Sequence, residues 1–156
     1  MLHLIPAPLH RTTLRFAHRL RKRLWRMRKR RVIGCRVLAL DHAGRVLLVR
    51  HSYGSGQWMP PGGGIGRGEA PIAAAGRELR EETGCRLDAA AQVALVVEAL
   101  HGVGNVVHVI AGRATGEVKP DGREVIEAAF FALDALPGEM SAGLRADLPG
   151  WVAAYR

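Results

Sequence analysis

Residues 63–85 read GGIGRGEAPIAAAGRELREETGC, and this stretch decides the fold of the chain. Pro71 suits the first turn of a helix and Gly84 suits the position just past its end, so the segment predicts a helix from Pro71 to Thr83. At 100° per residue, Glu78, Glu81 and Glu82 then fall within an arc of about 100° on one face. Like charges three and four residues apart each cost an isolated helix roughly 0.2–0.5 kcal/mol. The helix dipole adds a further penalty near Glu82, in the second half of the helix. Three carboxylates gathered against these costs point to a bound cation, and oxygen-only ligands suit Mg²⁺ or Mn²⁺.

Around that helix the spacing is Gly63, then Glu69, then Arg77-Glu78-Leu79-Arg80-Glu81-Glu82-Thr83-Gly84, closed by apolar Cys85. In this order and spacing the segment resembles the signature box of the Nudix hydrolases. The resemblance implies an α/β/α sandwich with a mixed sheet, and hydrolysis of a nucleoside diphosphate linked to another group with a divalent metal. It implies metal-binding positions at Glu78, Glu81 and Glu82, with the Gly63 carbonyl as a further donor. The identity of the general base varies within the family and stays open among these glutamates. Arg77 stands four residues before Glu81 and is expected to orient it through a bidentate contact that a lysine would not reproduce. Glu69, two residues before the helix, is expected to pair with Arg77 or to cap amide groups. Alone, an Arg-Glu-Leu-x-Glu-Glu run reads as a solvated helix face laced with Arg77 and Arg80. Gly63, Glu69 and Gly84 at the matching spacing favour the metal site instead. Two departures from the pattern, Pro60 and Gly66, fall outside its fixed positions and remove no expected ligand.

With 156 residues, 48% of them hydrophobic, and no Ser- or Pro-rich linker or internal repeat, the chain suits a single catalytic domain. Its apolar runs are too short for a membrane span. Cys35 and Cys85 lack the spacing of a zinc site and read as buried, reduced thiols, which suits a cytoplasmic protein. The net charge of +9 is unevenly placed: residues 1–31 hold 11 Arg and Lys and no acid, and the remainder holds 12 basic and 14 acidic residues. A basic arm (1–31) therefore precedes a near-neutral hydrolase domain (32–156).

Within the arm, Leu14, Ala17, Leu20, Leu24 and Met27 recur at helical spacing over residues 12–31, interrupted by Arg21, Arg28 and Arg31. Several roles stay open for this helix: packing its apolar stripe on the domain, meeting an anionic partner such as RNA or a membrane surface through residues 11–31, an assembly contact, or organellar targeting. Beyond it, strands are expected at Val32–Leu40 and Arg45–Arg50 around the turn Asp41-His42-Ala43-Gly44. Prolines and glycines from Trp58 to Gly64 argue against regular structure there. A second hairpin is expected from Val93–Leu100 and Asn105–Gly112, and a further strand at Val125–Leu133. A final helix at Ser141–Tyr155 should be interrupted at Pro149-Gly150.

Outside the box the substrate signals are sparse. Glu124 and Glu127 are candidates for an additional acid from a later loop, and read equally well as exposed acids at a strand edge. Tyr53, Trp58 and His101 are candidates for contact with a base, against the plainer readings of core or incidental side chains. His101 stands where ADP-ribose hydrolases resemble one another in carrying proline, and the coenzyme A pattern is missing. A nucleoside triphosphate cleaved to monophosphate and pyrophosphate leads as substrate, with the 5′-triphosphate end of RNA next. A nucleotide-sensing module without catalysis is the reading from another class. Oligomeric state has no signal in the sequence.

Overall fold

The computed structural model describes residues 33–100 and 103–156. The arm helix expected at 12–31 and His101 lie outside these residues. Among the described residues nine elements follow in order: β1 (Ile33–Leu40), β2 (Val46–His51), β3 (Trp58–Met59), β4 (Gly62–Gly64), α1 (Pro71–Thr83), β5 (Arg86–Leu100), β6 (Val103–Thr115), β7 (Val125–Phe131) and α2 (Ala142–Tyr155).

Strand β1 organises the sheet because its sequence is apolar at both alternations, and a strand buried on both faces needs a layer on each side. Cys35, Val37 and Ala39 pack with Ala74, Ala75 and Leu79 of α1, whereas Leu38 and Leu40 pack with Leu144, Leu148 and Val152 of α2. Two helical layers thus enclose one mixed sheet, an α/β/α sandwich. β1 runs parallel to β6 along its whole length, and every other pairing is antiparallel.

Since β6 occupies one edge of β1, its other edge is shared: β2 pairs there at Leu40–Val46 and β4 pairs at Gly34–Arg36. β2 in turn gives one edge to β7 and, on the other, takes β3 at Val49 and Arg50. The segment from Trp58 to Gly64, expected to be irregular, therefore contributes two short strands. Its prolines break it between them, and Pro61 serves the ladder only as an acceptor, from Val37 N–H at 2.8 Å. Its glycines permit the close approach: a Cβ on Gly62 would stand 2.2 Å from the Cys35 carbonyl oxygen.

The α1 boundaries follow the sequence. Pro71 opens the helix, and Gly84 closes it in the left-handed region (φ 76°), its N–H bonded to the Arg80 carbonyl at 3.0 Å. Lys119 N–H caps the Thr83 carbonyl at 2.7 Å. Helix α2 departs from expectation by running through Pro149 without a break. Leu144, Leu148 and Val152, spaced four apart, are buried on the sheet. Each such burial contributes roughly 1.5–3 kcal/mol, which offsets the roughly 3 kcal/mol cost of an interior proline. The second hairpin is longer than expected, starting at Arg86 and ending at Thr115, with register shifts at Asp88/Ala91 and Gln92/Ala94. Ladder pairing overrides the weak strand preference of its alanines. Both cysteines are buried and unbridged. No helix among the described residues is long and apolar enough to cross a membrane.

Candidate active site

Helix α1 lays its apolar edge on the sheet, which sinks part of its carboxylate face. Glu78 is 4% exposed and Glu82 2% exposed, one turn apart, whereas the Glu81 side chain is 60% exposed. Buried carboxylates require partners, and both have them. Glu82 accepts a hydrogen bond from Gly62 N–H at 3.1 Å, and the His51 ring lies with Nε2 3.4 Å from its other oxygen. Glu78 accepts from Arg77 Nη1 at 2.8 Å.

Arg77 ties the loop before the helix to the helix itself. Its Nε and Nη2 donate to the two oxygens of Glu69 at 2.8 and 2.9 Å, and Nη2 also donates to the Gly64 carbonyl at 3.1 Å. Glu69 in turn accepts from Gly66 N–H at 2.7 Å. The Arg77 hydrogen bonds, helped by the Gly66 amide, hold the Glu69 carboxyl down to about 2, well below its ordinary range. The same pairing with Glu69 raises the Arg77 guanidinium further above its already high value. The bidentate contact expected between Arg77 and Glu81 is thus made to Glu69 instead, and Glu81 comes only within 3.7 Å of Nη1. The Nε/Nη2 edge of the guanidinium grips one carboxylate bidentately, and Glu69, fixed by the loop, meets it better than exposed Glu81. Glu69 does not cap α1, whose N-terminal residue Ala70 offers no side-chain acceptor.

Gly63 sits in β4 opposite Cys35, whose thiol is buried. Burial pushes that thiol up to about 11, with the Gly63 amide opposing the shift. The donor set fits a hard divalent cation in its chemistry: three carboxylates within two helical turns and a backbone carbonyl, oxygen throughout. In the arrangement seen, no three His, Cys, Asp or Glu side chains among the described residues converge on one point. Arg77 draws Glu78 toward the loop, and Glu82 turns to Gly62 and His51.

The remaining candidates divide between the two faces of the sheet. Glu124 ends a turn in which Asp121 Oδ1 accepts from three successive amides. Its carbonyl accepts from Ser52 N–H at 2.9 Å, which places it one residue from His51 at the carboxylate end of the sheet. Tyr53 stacks obliquely on His51, ring centroids 5.2 Å apart. Glu127 pairs with Arg50 at 3.2 Å. Arg50 alternates with His51 along β2, so this ion pair belongs to the α2 face, away from the carboxylates. Trp58, the register partner of Arg50, packs edge-on against Phe131 on that same face.

His51 and the Gly62 amide are the members of this cluster that sequence reading missed. His51 stands 31 positions from Glu82 and belongs to no spaced motif. A register shift between Arg50 and His51 in the β2–β7 ladder is the structural sign of a side chain re-aimed beside a site.

A mixed sheet between two helices, with a glycine strand and loop delivering buried carboxylates at the end of one helix, defines a hydrolase of the Nudix type. Residues 28–153 match the NUDIX domain, and the chain belongs to that family. Among solved structures it is similar to the MutT NUDIX hydrolase from Burkholderia pseudomallei, with 28% identity and a TM-score of 0.67 over 78% of this chain and 98% of that one. A NUDIX family hydrolase from Clostridium perfringens shares the fold at 15% identity and a TM-score of 0.67, covering 82% of this chain and 100% of that one. So does a MutT protein from Methanosarcina mazei Go1, at 24% identity and a TM-score of 0.61, covering 82% and 94%. No curated protein matches the chain in sequence.

Proposed function

We propose that the chain hydrolyses a nucleoside triphosphate to the monophosphate and pyrophosphate, with Mg²⁺ or Mn²⁺ held by Glu78, Glu81, Glu82 and the Gly63 carbonyl. Enzymes of this family cleave nucleoside diphosphate-linked substrates and generally use such a metal. The observation that carries the reading is the pair of buried carboxylates, Glu78 and Glu82, held against β4 by Arg77, Gly62 and His51. When bound, the metal neutralises charge on the diphosphate and lowers the pKa of an attacking water. In the hydrolysis a water oxygen forms a bond to phosphorus, the bridging P–O bond breaks, and the leaving oxygen carries away the electron pair. The protein's part is positional. Glu69 and Arg77 fix the loop relative to α1, Gly62 and His51 hold Glu82, and exposed Glu81 can swing toward a cation at little cost. The likeness to a MutT NUDIX hydrolase supports hydrolysis as the reaction. The two unbridged cysteines support an intracellular setting.

The test is release of phosphate and pyrophosphate from nucleoside triphosphates, nucleotide sugars, ADP-ribose, dinucleoside polyphosphates and 5′-triphosphate RNA, each with Mg²⁺ and with EDTA. Metal-dependent pyrophosphate release from a free triphosphate is the expected result. Turnover confined to RNA ends would move the substrate assignment to RNA, and silence across the panel from folded protein would overturn catalysis in favour of nucleotide sensing.

A further inference from the structure

On the α1 face of the sheet, apolar surface continues past the helix. Ile33 pairs with Val106 of β6, and Val106 pairs with Val97 of β5. Leu95 lies two residues from Val97 on the same face, since its partner His108 stands opposite Cys35, a member of the α1 core. Ile33, Leu95 and Val97 are 50%, 55% and 69% exposed. They form one contiguous strip across three strands, in a sheet whose neighbouring positions Cys35, Val37 and Ile110 are buried on that face. Single exposed aliphatics need no explanation, but a contiguous row marks a contact surface.

We propose that this strip is the docking site of the chain's own basic arm, covered by Leu24 and Met27. Where the arm joins the domain is the first argument. It enters at Ile33, which is itself one end of the strip. Met27 and Leu24 stand six and nine residues before Ile33. A helix over these positions, rising 1.5 Å per residue, would put them about 9 and 14 Å from Ile33. Val97, two strands over, is about 10 Å from Ile33. A helical arm would therefore reach the strip with Met27 and Leu24 without a stretched connection. Tethering is the second argument, because a short connection gives the arm a millimolar effective concentration that a separate partner must outcompete. Charge is the third. The arm carries 11 basic residues and no acid, and the rest of the chain has an acidic excess, so attraction favours docking in cis over pairing with another arm.

The experiment is limited trypsin digestion of the full chain, following loss of the first 31 residues by mass. Docking protects the many arginines of the arm, so Val97→Glu and, independently, Leu24→Glu are each expected to speed that cleavage at least tenfold. Hydrolysis of a small nucleotide by Val97→Glu should stay unchanged, which shows that the domain remains folded. Leu24→Glu leaves the sheet untouched and serves if the strand variant fails to fold. Equal cleavage rates in wild type and both variants would overturn the proposal. So would a wild-type dimer that Val97→Glu dissociates with no change in arm cleavage, because the occupant would then be a second copy.

Discussion

Arg77 holds Glu69 through two near-parallel hydrogen bonds of 2.8 and 2.9 Å while a third, from the same guanidinium, reaches Glu78. One side chain therefore links the loop that precedes α1 to a buried carboxylate upon it. This makes Arg77 a positioning residue whose shape matters as much as its charge. Arg77→Lys keeps the charge but loses the fork, and is expected to lower stability by about 2 kcal/mol and kcat about tenfold. Urea unfolding and steady-state kinetics check both numbers; a lysine variant equal to wild type in both would contradict the role.

The same pair sets a pH dependence. Glu69 titrates near 2 in the folded chain against its usual 4.5, because Arg77 and the Gly66 amide stabilise the ionised form. A carboxyl whose folded value is depressed contributes stability that is present above about pH 4.5 and is lost as pH falls toward 2. Glu69→Gln is expected to be less stable than wild type at neutral pH, with the gap narrowing steadily below that point. Urea midpoints at a series of pH values would show it, and a gap that stays constant down to pH 3 would argue against the linkage.

His51 is expected to matter through Glu82, since its ring Nε2 lies 3.4 Å from that carboxylate. His51→Ala should lower kcat about tenfold, a change worth about 1.4 kcal/mol, with KM little altered. His51→Gln, which keeps a hydrogen-bond donor at similar reach, should recover most of the loss. Equal rates for the alanine and glutamine variants would reduce His51 to packing.

Gly62 is expected to tolerate no side chain, because a Cβ there would stand 2.2 Å from the Cys35 carbonyl oxygen, a backbone atom that cannot move aside. Gly62→Ala should cost about 3 kcal/mol by overpacking and lower the melting temperature by on the order of 10 °C. A melting curve overlapping that of wild type would show that β4 is not pressed against β1 in solution.

What the sequence made legible follows from how local each signal is. Pro71 and Gly84 act on their own backbone, so both ends of α1 were readable. β1 was readable as a strand from its mostly apolar run, whereas which helix covers each of its faces was not. β3 and β4 were hidden, because prolines and glycines look irregular until a neighbouring strand supplies the hydrogen bonds and the close approach. Pro149 misled for the opposite reason: a local rule predicts a break, and the burial of Leu144, Leu148 and Val152 outweighs it. At the site, the box glutamates stand at helical spacing and could be read directly. The pairing of Glu69 with Arg77 was among the sequence expectations, but that it displaces the contact to Glu81 depends on the loop bringing Glu69 back toward the helix. His51 reaches Glu82 only through the path of β2, a tertiary fact with no spacing to announce it.

The central claim is that carboxylates on α1 hold the metal on which hydrolysis depends. It is tested most directly by titrating Mn²⁺ into wild type, Glu81→Gln and Glu82→Gln, with turnover and melting temperature measured on the same samples. The account predicts at least a hundredfold loss of turnover and at least tenfold weaker Mn²⁺ binding in each variant, with folding preserved. Unchanged Mn²⁺ affinity and turnover in both variants would contradict it.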